Sequence, residues 1–354
     1  MIMVISKGKR RAPAVLSSAW LLGACCISFE AAAQSRGMEC AEAPTASLLV
    51  NVKDKGATGD GRTDDTAAIQ AAIDEIGGTG GTVLVPNGTY MVDAVGKNGI
   101  ALKSDMTLKL SESATLKAIP NSSNGYAVLS ISGASNVRMV GGTLEGERDE
   151  HMGKSGEWGM GIRIDDGSEH ITISGVTAKK MWGDGFYVQS AADVKFCSVT
   201  ADYNRRQGMS IIEADGLVVT NSVFKNTRGT RPSAGIDLEP DKAVQEITNV
   251  RIQSSKFLNN AGTGIVIAGK KGRISKVEVA HNVFSGNRPL LVENAPFVGA
   301  SAICNNRQIT SQSAPSGGFD AFADPIELVV HQNDCQDGRD PRFEVNRQKR
   351  KRSR

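Results

Sequence analysis

The sequence predicts an all-β protein built as a parallel β-solenoid, in which short strands repeat along a coil. Two sets of segments between about residues 133 and 294 carry this prediction. In the first set, apolar and other residues alternate with period two, which is typical of a half-buried strand. The second set shows the same alternation after a leading glycine. A strand, a turn and a second strand that recur every 23 to 34 residues indicate stacked coils.

The two sets interleave along the chain. The first set consists of the segments that begin at Asn136, His170, Asp193, Gly216, Asn249 and Lys276, and the second of those that begin at Gly161, Gly185, Gly208, Gly235 and Gly264. A coil places equivalent residues of successive turns in columns, so outward side chains can be assigned to columns from the sequence alone.

The first 33 residues are typical of an export signal. Basic residues between Lys7 and Arg11 precede an apolar stretch, Ala14 to Phe29, that is short for a membrane span, and alanines 31–33 offer a cleavage site. We therefore expect a secreted or periplasmic protein without a membrane span. The alternative is a lipoprotein in which Cys25 carries the lipid.

The remaining chain divides into four predicted parts. Residues 34–48 are expected to be an unstructured lead, residues 49–300 a β-helix domain, residues 301–346 a loop-rich C-terminal segment, and residues 347–354 a basic disordered tail. The full chain has a formal net charge of +3, but without signal and tail about six net negative charges remain. We therefore expect no nucleic-acid partner.

Four cysteines follow the predicted signal: Cys40, Cys197, Cys304 and Cys335. An exported chain with four cysteines can form one or two disulfides. A Cys304–Cys335 pair is favoured because both residues lie in the loop-rich segment. Cys197 lies within a predicted strand, and we expect it to be a buried apolar residue.

One helix is predicted, over residues 67–76, because its apolar residues recur with a helical period. Thr63 or Asp64 can cap it, and Asp65 adds negative charge near its positive end. The glycine-rich residues 77–81 end it. A helix here is expected to cover the open end of the coil, as terminal turns of solenoids require.

The segments Val52 to Ile73 (VKDKGATGDGRTDDTAAIQAAI) and Gly80 to Tyr90 (GGTVLVPNGTY) resemble the first coil of the pectate-lyase-like superfamily. Its members include polygalacturonases, rhamnogalacturonases, alginate epimerases and phage tailspikes. The resemblance extends to about Asn294 and implies a right-handed parallel β-helix with a short N-terminal capping helix. It implies a polysaccharide ligand but no single reaction, since lyases, hydrolases, epimerases and binders share this segment.

A closer resemblance covers residues 161–226. The segments Trp182 to Val188 (WGDGFYV) and Gln207 to Ile211 (QGMSI) are similar to consecutive turns of secreted alginate epimerases. In that family the preceding turn carries a Tyr and an Asp-Pro-His motif, whereas residues 159–168 here contain Asp165-Asp166 but neither Tyr nor His. The polygalacturonase order of Asp-Asp and then His-Gly does not occur either.

The glycine-led strands predict which side chains face outward. Ten residues are expected inside the coil: Ile162, Ile164, Phe186, Val188, Met209, Ile211, Ile236, Leu238, Ile265 and Ile267. The first outward column is Arg163, Tyr187, Ser210, Asp237 and Val266, and the second is Asp165, Gln189, Ile212, Glu239 and Ala268. This face therefore concentrates charged and aromatic side chains.

Asp237 and Glu239 form a candidate acid–base pair. Residues two apart on a strand share a face, with side chains about 6–7 Å apart. Two carboxylates at that separation raise the pKa of one of them. A general acid beside a general base is the arrangement of glycosidases, and this spacing is nearer the inverting class. The alternative interpretation is a solvated pair of carboxylates.

A polysaccharide lyase needs a different set of groups on the same face. Arginine can neutralise a uronate carboxylate, and Tyr187, between Arg163 and Arg206, is placed to remove the C5 proton. The predicted catalytic residues are Asp237, Glu239, Tyr187, Arg163 and Asp184, and the predicted substrate-binding residues are Arg206, Arg205, Asp165, Trp182 and Gln189.

We therefore predict an exported carbohydrate-active enzyme for an acidic or bacterial polysaccharide, with a β-eliminative lyase slightly favoured. The alternatives are an inverting glycoside hydrolase, a uronate C5-epimerase and a non-catalytic glycan-binding surface protein. No cofactor is required, although Asp165, Asp166 and Asp184 could bind Ca²⁺. A monomer or trimer is expected. The histidines at 151, 170 and 281 are expected in turns or on the surface.

Overall fold

The computed structural model describes residues 48–95, 99–268, 271–293, 297–298, 301–310 and 329–332. They form a parallel β-solenoid of about nine turns, as the repeats predict. Three sheets run along the coil, here called sheets A, B and C, and each turn of the regular part contributes one strand to each sheet. In this part of the chain, no helix combines the length and apolar character needed to cross a bilayer.

Sheet A contains the first predicted set of strands. Its strands are β1 (Leu49–Asn51), β3 (Thr82–Val85), β6 (Met106–Leu110), β9 (Val137–Val140), β12 (Ser168–Ser174), β15 (Ala191–Cys197), β18 (Ala214–Thr220), β21 (Glu246–Gln253), β24 (Arg273–Ala280), β27 (Phe297–Val298) and β28 (Ala302–Cys304). All pair in parallel, with the alternating residues buried.

Sheet C contains the second, glycine-led set and carries the candidate site. Its strands are β5 (Ile100–Leu102), β8 (Gly125–Ser132), β11 (Trp158–Asp165), β14 (Phe186–Val188), β17 (Met209–Ile211), β20 (Ile236–Leu238), β23 (Thr263–Ala268) and β26 (Arg288–Glu293). The ten side chains predicted to face inward are each at most 1% exposed. The predicted register of this sheet is therefore confirmed.

Sheet B was not predicted as a separate sheet. Its strands are β2 (Asp60–Asp64), β4 (Gly88–Val92), β7 (Ala114–Ala118), β10 (Thr143–Glu145), β13 (Thr177–Lys179), β16 (Thr200–Asp202), β19 (Val223–Lys225), β22 (Lys256–Leu258), β25 (Val283–Ser285), β29 (Arg307–Thr310) and β30 (Val329–Gln332). Six of them are three residues long with one inward side chain, which is too short to show a period. Among these inward side chains, Phe224, Phe257 and Phe284 form a stack.

The leading glycines of sheet C lie where sheet B turns into sheet C. A Cβ added to Gly185 would lie 2.6 Å from the carbonyl oxygen of Gly208, and one added to Gly208 would lie 2.4 Å from that of Gly235. Any larger residue would therefore push neighbouring turns apart. This contact explains why glycine recurs at this position in successive turns.

The predicted helix is confirmed as α1 (Thr66–Ile76), which follows a short 3-10 helix (Val52–Lys55). Asp64 accepts the backbone N–H of Thr66 at 3.0 Å, so one of the two predicted capping residues acts there. Asp65 instead accepts the backbone N–H groups of Thr58 and Gly59. The apolar side of α1 is buried against the first turns of the coil.

The cysteine prediction needs one correction. Cys197 is buried, but it is disulfide-bonded, as is Cys304. Four strand spacings separate the two residues in sheet A, or about 19 Å, so they are not bonded to each other. Cys335, the predicted partner of Cys304, lies outside the described residues, as do the predicted signal and basic tail. Strands β28 and β29 extend the coil beyond residue 300.

Candidate functional site

The two predicted outward columns exist on sheet C. Arg163, Tyr187, Ser210, Asp237 and Val266 are successive register partners. The second column follows two residues later on each strand. Because neighbouring strands lie about 4.8 Å apart, Asp237 is about 10 Å from Tyr187 along the column, with Ser210 between them. The register confirms these positions, whereas the chemical roles of the residues stay predictions.

A diagonal contact repeats across the site. The residues before the leading glycines of β11, β14, β17 and β20 contact the outward residue of the next strand. Asp184 accepts a hydrogen bond from the Ser210 hydroxyl at 2.8 Å, and the Gln207 amide donates to Asp237 Oδ2 at 2.7 Å. Polar pairs thus occupy the middle turns, and an apolar cluster with Met160 and Tyr187 occupies the turn before them.

Asp184 and Arg206 form an ion pair within this network. Arg206 Nη1 donates to Asp184 Oδ2 at 3.0 Å and to the Ser210 hydroxyl at 3.2 Å. The Asp184 side chain is fully buried, and this burial raises its pKa to about 6, although Arg206 acts in the opposite direction. The pKa of Arg206 is raised, because Asp184, Asp237 and Glu157 together outweigh the effect of burial. Asp184 is therefore largely ionised at neutral pH.

Asp237 has the strongest tendency to keep its proton among the carboxyl groups of the site. It is 2% exposed. Burial, followed by the nearby charge of Glu239, raises the pKa of Asp237 from 3.8 to about 8. Its Oδ2 accepts from Gln207, whereas Oδ1 is buried without a hydrogen-bond partner. Glu239, two residues on, is partly exposed. The predicted pair therefore consists of a buried acid that keeps its proton and a partly exposed glutamate side chain that water can reach.

Unpartnered polar atoms concentrate around this network. Among the described residues, seven buried side-chain atoms have no hydrogen-bond partner: His151 Nε2, Trp182 Nε1, Asp184 Oδ1, Arg206 Nε, Thr227 Oγ1, Asp237 Oδ1 and Thr263 Oγ1. All seven lie on or beside the corner between sheets B and C, in consecutive turns. Buried polar groups are normally satisfied, so this concentration makes the corner the candidate site for a polar ligand.

A cavity of about 820 Å³ lies on the outer face of sheet C beside this network. Small residues of β5 and β8, such as Ala101 and Ala127, form one part of its wall. Trp158, Tyr187 and the Arg163–Asp165 pair form another. Asp241, Lys242 and Gln245 in the loop after β20 complete it. Asp237, Glu239 and Asp184 are not among these wall residues, although Glu239 is the next member of the column that contributes Asp165, Gln189 and Ile212.

Tyr187 lies in the cavity wall but is 6% exposed. Its hydroxyl donates to Gln189 Oε1 at 2.7 Å, and its ring meets Trp158 edge-on at 6.2 Å between centroids. Burial, followed by the charge of Asp241, raises the pKa of Tyr187 to about 12. Tyr187 therefore holds its proton at neutral pH. Arg163, about half exposed, forms an ion pair with the buried Asp165.

Arg205 and Trp182, predicted to bind substrate, are not part of the cavity wall and contact each other beside it. Their role in substrate binding stays a prediction. The Arg205 guanidinium lies 3.8 Å from the centroid of the Trp182 ring and donates to the carbonyl of Gly156. The His151 ring stacks on the same indole at 3.8 Å. The three side chains thereby hold the loop of residues 146–157 against the coil.

Sequence reasoning missed the buried part of these contacts. The His151 side chain is 1% exposed and its Nδ1 lies 2.9 Å from the fully buried Glu147, so the expectation of a turn or surface position is wrong for His151. Burial, together with the charge of Glu147, raises the pKa of Tyr126, which lies beside Trp182. The four-residue spacing of Glu147 and His151 is the signal that could have linked them. His170 and His281 are exposed, as expected.

The predicted calcium ligands are each engaged elsewhere. Asp165 pairs with Arg163, Asp166 accepts from the Ser132 hydroxyl at 2.5 Å, and Asp184 pairs with Arg206. Within the described ranges, no group of three or more His, Cys, Asp or Glu residues is arranged to hold a metal ion. Calcium binding stays a prediction.

Comparison with known proteins gives a family match over half of the chain. The family model described as rhamnogalacturonase A/epimerase, pectate lyase-like, matches residues 49–230. An uncharacterised protein of Bacillus subtilis, YclG, is 29% identical over 307 residues, which are 73% of this chain and 52% of YclG. Mannuronan C5-epimerase AlgE4 of Azotobacter vinelandii is 36% identical over 194 residues, 50% of this chain and 33% of the epimerase. The chain thus spans about half the length of YclG and about a third of the length of AlgE4.

A solved structure of similar fold belongs to a different functional class. The surface adhesin PfbA of Streptococcus pneumoniae is 16% identical, with a TM-score of 0.53 over 81% of this chain and 100% of the adhesin chain. At this identity the likeness concerns the fold alone. Proteins similar to this chain thus include one named as an epimerase, similar in sequence, and one named as an adhesin, similar in fold.

Proposed function

Because the chain belongs to the rhamnogalacturonase A/epimerase, pectate lyase-like family, we propose that it cleaves a polysaccharide on the outer face of sheet C. The observation that carries this proposal is the concentration of unpartnered buried polar atoms around Asp184, Arg206 and Asp237. Structural ladders of a solenoid satisfy such atoms, whereas a site built for a polar substrate leaves them free. An adjoining cavity supplies room for sugar rings.

Hydrolysis is the reaction that the ionisation of the site favours. A buried carboxyl group whose pKa is raised is suited to act as the general acid. Asp237, protonated near neutral pH, donates its proton to the glycosidic oxygen as that oxygen separates from the anomeric carbon. Glu239 accepts a proton from the water whose oxygen bonds to that carbon. Their spacing of about 6–7 Å on one strand lies near the lower end of the inverting range.

The ion pair of Asp184 and Arg206 tunes this acid. Burial and the charges of Glu239, Asp184 and Asp241 raise the pKa of Asp237, whereas the charge of Arg206 lowers it. The balance leaves Asp237 with a pKa near working pH, which is where a general acid is most effective. Asp184 is itself fully buried and bonded to Ser210 and Arg206, so it acts on the substrate through its neighbours.

β-Elimination and C5-epimerisation both need a base that removes the C5 proton, and the residues predicted for that chemistry suit it less well. The pKa of Tyr187 is raised and its hydroxyl donates to Gln189, so the phenol acts as a proton donor. Arg163 is neutralised by Asp165. A substrate carboxylate could displace Asp165 from Arg163, which keeps an acidic polysaccharide as the proposed substrate.

A glycan-binding surface protein is the second candidate. The observation that favours it is the burial of the carboxyl groups, since Asp184 is 0% and Asp237 2% exposed. Carboxyl groups buried to this extent are difficult for a substrate to reach. In that case the exposed Trp158 and the cavity wall hold sugar rings by stacking and hydrogen bonds, without turnover. Export to the cell surface or beyond accompanies both candidates and is proposed from the N-terminal sequence.

An activity screen separates these readings. The mature protein is incubated with polygalacturonate, alginate and neutral and acidic bacterial exopolysaccharides, and reducing ends are followed together with the ultraviolet absorbance of unsaturated uronates. Reducing ends without this absorbance support hydrolysis. Reducing ends with it identify elimination, and an altered uronate composition without either identifies epimerisation. Binding that leaves the polymer unchanged overturns the proposed enzyme and supports the glycan binder.

A further inference from the structure

Gln207 links the two buried carboxyl groups of the site. It is 0% exposed and lies directly before the leading glycine of β17. Its side-chain amide donates from Nε2 to Asp237 Oδ2 at 2.7 Å. Burial raises the pKa of Asp184, and the backbone N–H of Gln207 is among the donors that act in the opposite direction. One uncharged residue therefore touches the acid and influences the carboxylate of the neighbouring ion pair.

A second hydrogen bond fixes which way the amide of Gln207 points. The backbone N–H of Ala234 lies 2.8 Å from Gln207 Oε1. A backbone N–H can only donate, so the atom that faces it must be the amide oxygen. The NH₂ group then faces Asp237, and this group can only donate as well. The amide therefore cannot turn over without breaking both bonds.

This orientation decides which oxygen of Asp237 carries its proton. Oδ2 accepts the N–H of Gln207, and in a protonated carboxyl group the carbonyl oxygen is the better acceptor. The proton therefore belongs on Oδ1. Among the described residues, Oδ1 is buried without a hydrogen-bond partner. A proton on Oδ1 thus lacks an acceptor in this part of the chain, and an oxygen of a ligand can supply one.

The charged groups around Asp237 have a different effect from that of the amide. Burial, followed by the charge of Glu239, raises the pKa of Asp237. Asp184 and Asp241 act in the same direction, and Arg206 acts in the opposite one. These charges set how firmly the proton is held, whereas the hydrogen bond from the amide selects the oxygen that holds it.

We propose that Gln207 is a positioning residue, which holds Asp237 through Oδ2 and keeps the acid proton on Oδ1 for transfer to the substrate. The inference rests on the proposed hydrolysis at Asp237. In that reaction the glycosidic oxygen takes the proton from Oδ1 as its bond to the anomeric carbon breaks. The amide of Gln207 gains and loses no proton, and its N–H stabilises the carboxylate that the transfer leaves behind.

Gln207→Met tests this contact, because methionine is similar in size to glutamine but cannot donate. Loss of a donor to the ionised form raises the pKa of Asp237 further. The proton of Asp237 stabilises the fold less as pH rises towards the folded pKa, which is about 8 in the wild type. Measured against Gln207→Met/Asp237→Asn, the single variant should lose stability up to about pH 9, roughly one unit higher. An upper limit that stays near pH 8 in chemical denaturation contradicts the proposal.

Asn282→Ala is the matched control for a general loss of stability. Asn282 is also a buried amide that accepts a backbone N–H, that of Ser255, but it lies where sheet A turns into sheet B. Measured against Asn282→Ala/Asp237→Asn, this variant should keep its upper limit near pH 8. On a cleaved polymer, Gln207→Met should also move the alkaline limb of kcat to higher pH by about one unit. A merely structural role of Gln207 would lower stability without moving either limit.

Infrared spectroscopy decides the question if Gln207→Met does not fold. At about pH 7, the difference between the wild type and Asp237→Asn should contain the C=O band of one protonated carboxyl group. Its frequency should be the lower one of a carbonyl that accepts a hydrogen bond. The frequency of a free carbonyl, or no such band, overturns the role of Gln207 even where a polymer is cleaved. No cleavage of any polymer in the screen overturns hydrolysis and the transfer from Oδ1, whatever the band shows.

Discussion

The coil buries polar side chains at two of its corners, and the two corners treat them differently. At the corner between sheets A and B, Asn282 accepts the backbone N–H of Ser255 at 3.0 Å and donates to the carbonyl of Ile252 at 2.8 Å. Ser222 likewise accepts from Val199 and donates to Thr220. At the corner between sheets B and C, one oxygen of Asp184 and one of Asp237 are buried without a partner.

Buried polar groups that have hydrogen-bond partners hold the coil together, whereas those without partners are available to a ligand. The corner between sheets B and C also contains amides that are satisfied. The Asn204 side chain accepts from the backbone N–H of Met181 and donates to the carbonyl of Ala178. The Asn260 side chain makes the same two bonds with Thr227 and Phe224. Unpartnered atoms occur instead on the charged, hydroxyl and ring groups around them. Since leaving a buried polar group unsatisfied destabilises a fold by about 1–3 kcal/mol, their retention in consecutive turns argues for a function.

The largest expected effect comes from removing the acid at the second corner. Asp237→Asn keeps the shape of the side chain and an oxygen that can accept from Gln207, but it cannot donate a proton to the glycosidic oxygen. We expect kcat to fall by about 10²–10⁴, with an unchanged circular dichroism spectrum and a Tm at pH 7 no lower than that of the wild type. Initial rates of reducing-end release measure the loss.

The matched control for this variant is Asp215→Asn. Asp215 lies on sheet A, is exposed, and accepts from the Asn249 amide. Its substitution leaves kcat unchanged if the effect of Asp237→Asn is specific to the corner between sheets B and C. Full activity in Asp237→Asn assigns the acid to another residue.

The opposite outcome is expected at the first corner. Asn282→Ala removes the partner of the Ser255 N–H and of the Ile252 carbonyl, and both groups stay buried. We expect the free energy of unfolding to fall by about 2–4 kcal/mol while kcat at a temperature below the transition is unchanged. Chemical denaturation and activity assays on the same sample measure the two quantities. A lowered kcat with unchanged stability would place a functional group at this corner.

The sequence predicted the columns but not the difference between the corners. Alternation after a repeated glycine placed Arg163, Tyr187 and Asp237 correctly, because side-chain direction follows from strand period alone. The depth at which a side chain is buried does not follow from strand period. Asp184 and Asp237 were predicted as groove residues, and they are almost fully buried. That depth depends on contacts between turns, such as those of Arg206 and Ser210 with Asp184 and of Gln207 with Asp237, which no period specifies.

Ionisation of Asp237, at the corner between sheets B and C, makes the stability of the folded protein depend on pH. The folded chain holds this proton up to about pH 8, whereas an unfolded chain releases it near 3.8. Between these values the native state binds more protons, so rising pH lowers the contribution of Asp237 to stability by about 1.4 kcal/mol per pH unit. Relative to Asp237→Asn, the wild type should thus lose stability from pH 4 to pH 8 and change little outside this window. Parallel curves for the two proteins contradict a raised pKa.

The smallest effect is expected at the edge of the site. The charge of Asp241 is the least of the named causes that raise the pKa of Asp237, and its side chain is exposed, so solvent weakens its influence. Asp241→Asn should move the alkaline limb of the kcat profile, near pH 8 in the wild type, to lower pH by less than about 0.5 unit. Salt should reduce this shift further, since exposed charges are screened. A shift to higher pH would mean that the limb does not report the proton on Asp237, because removing a negative charge can only ease the ionisation of a neighbouring carboxyl group.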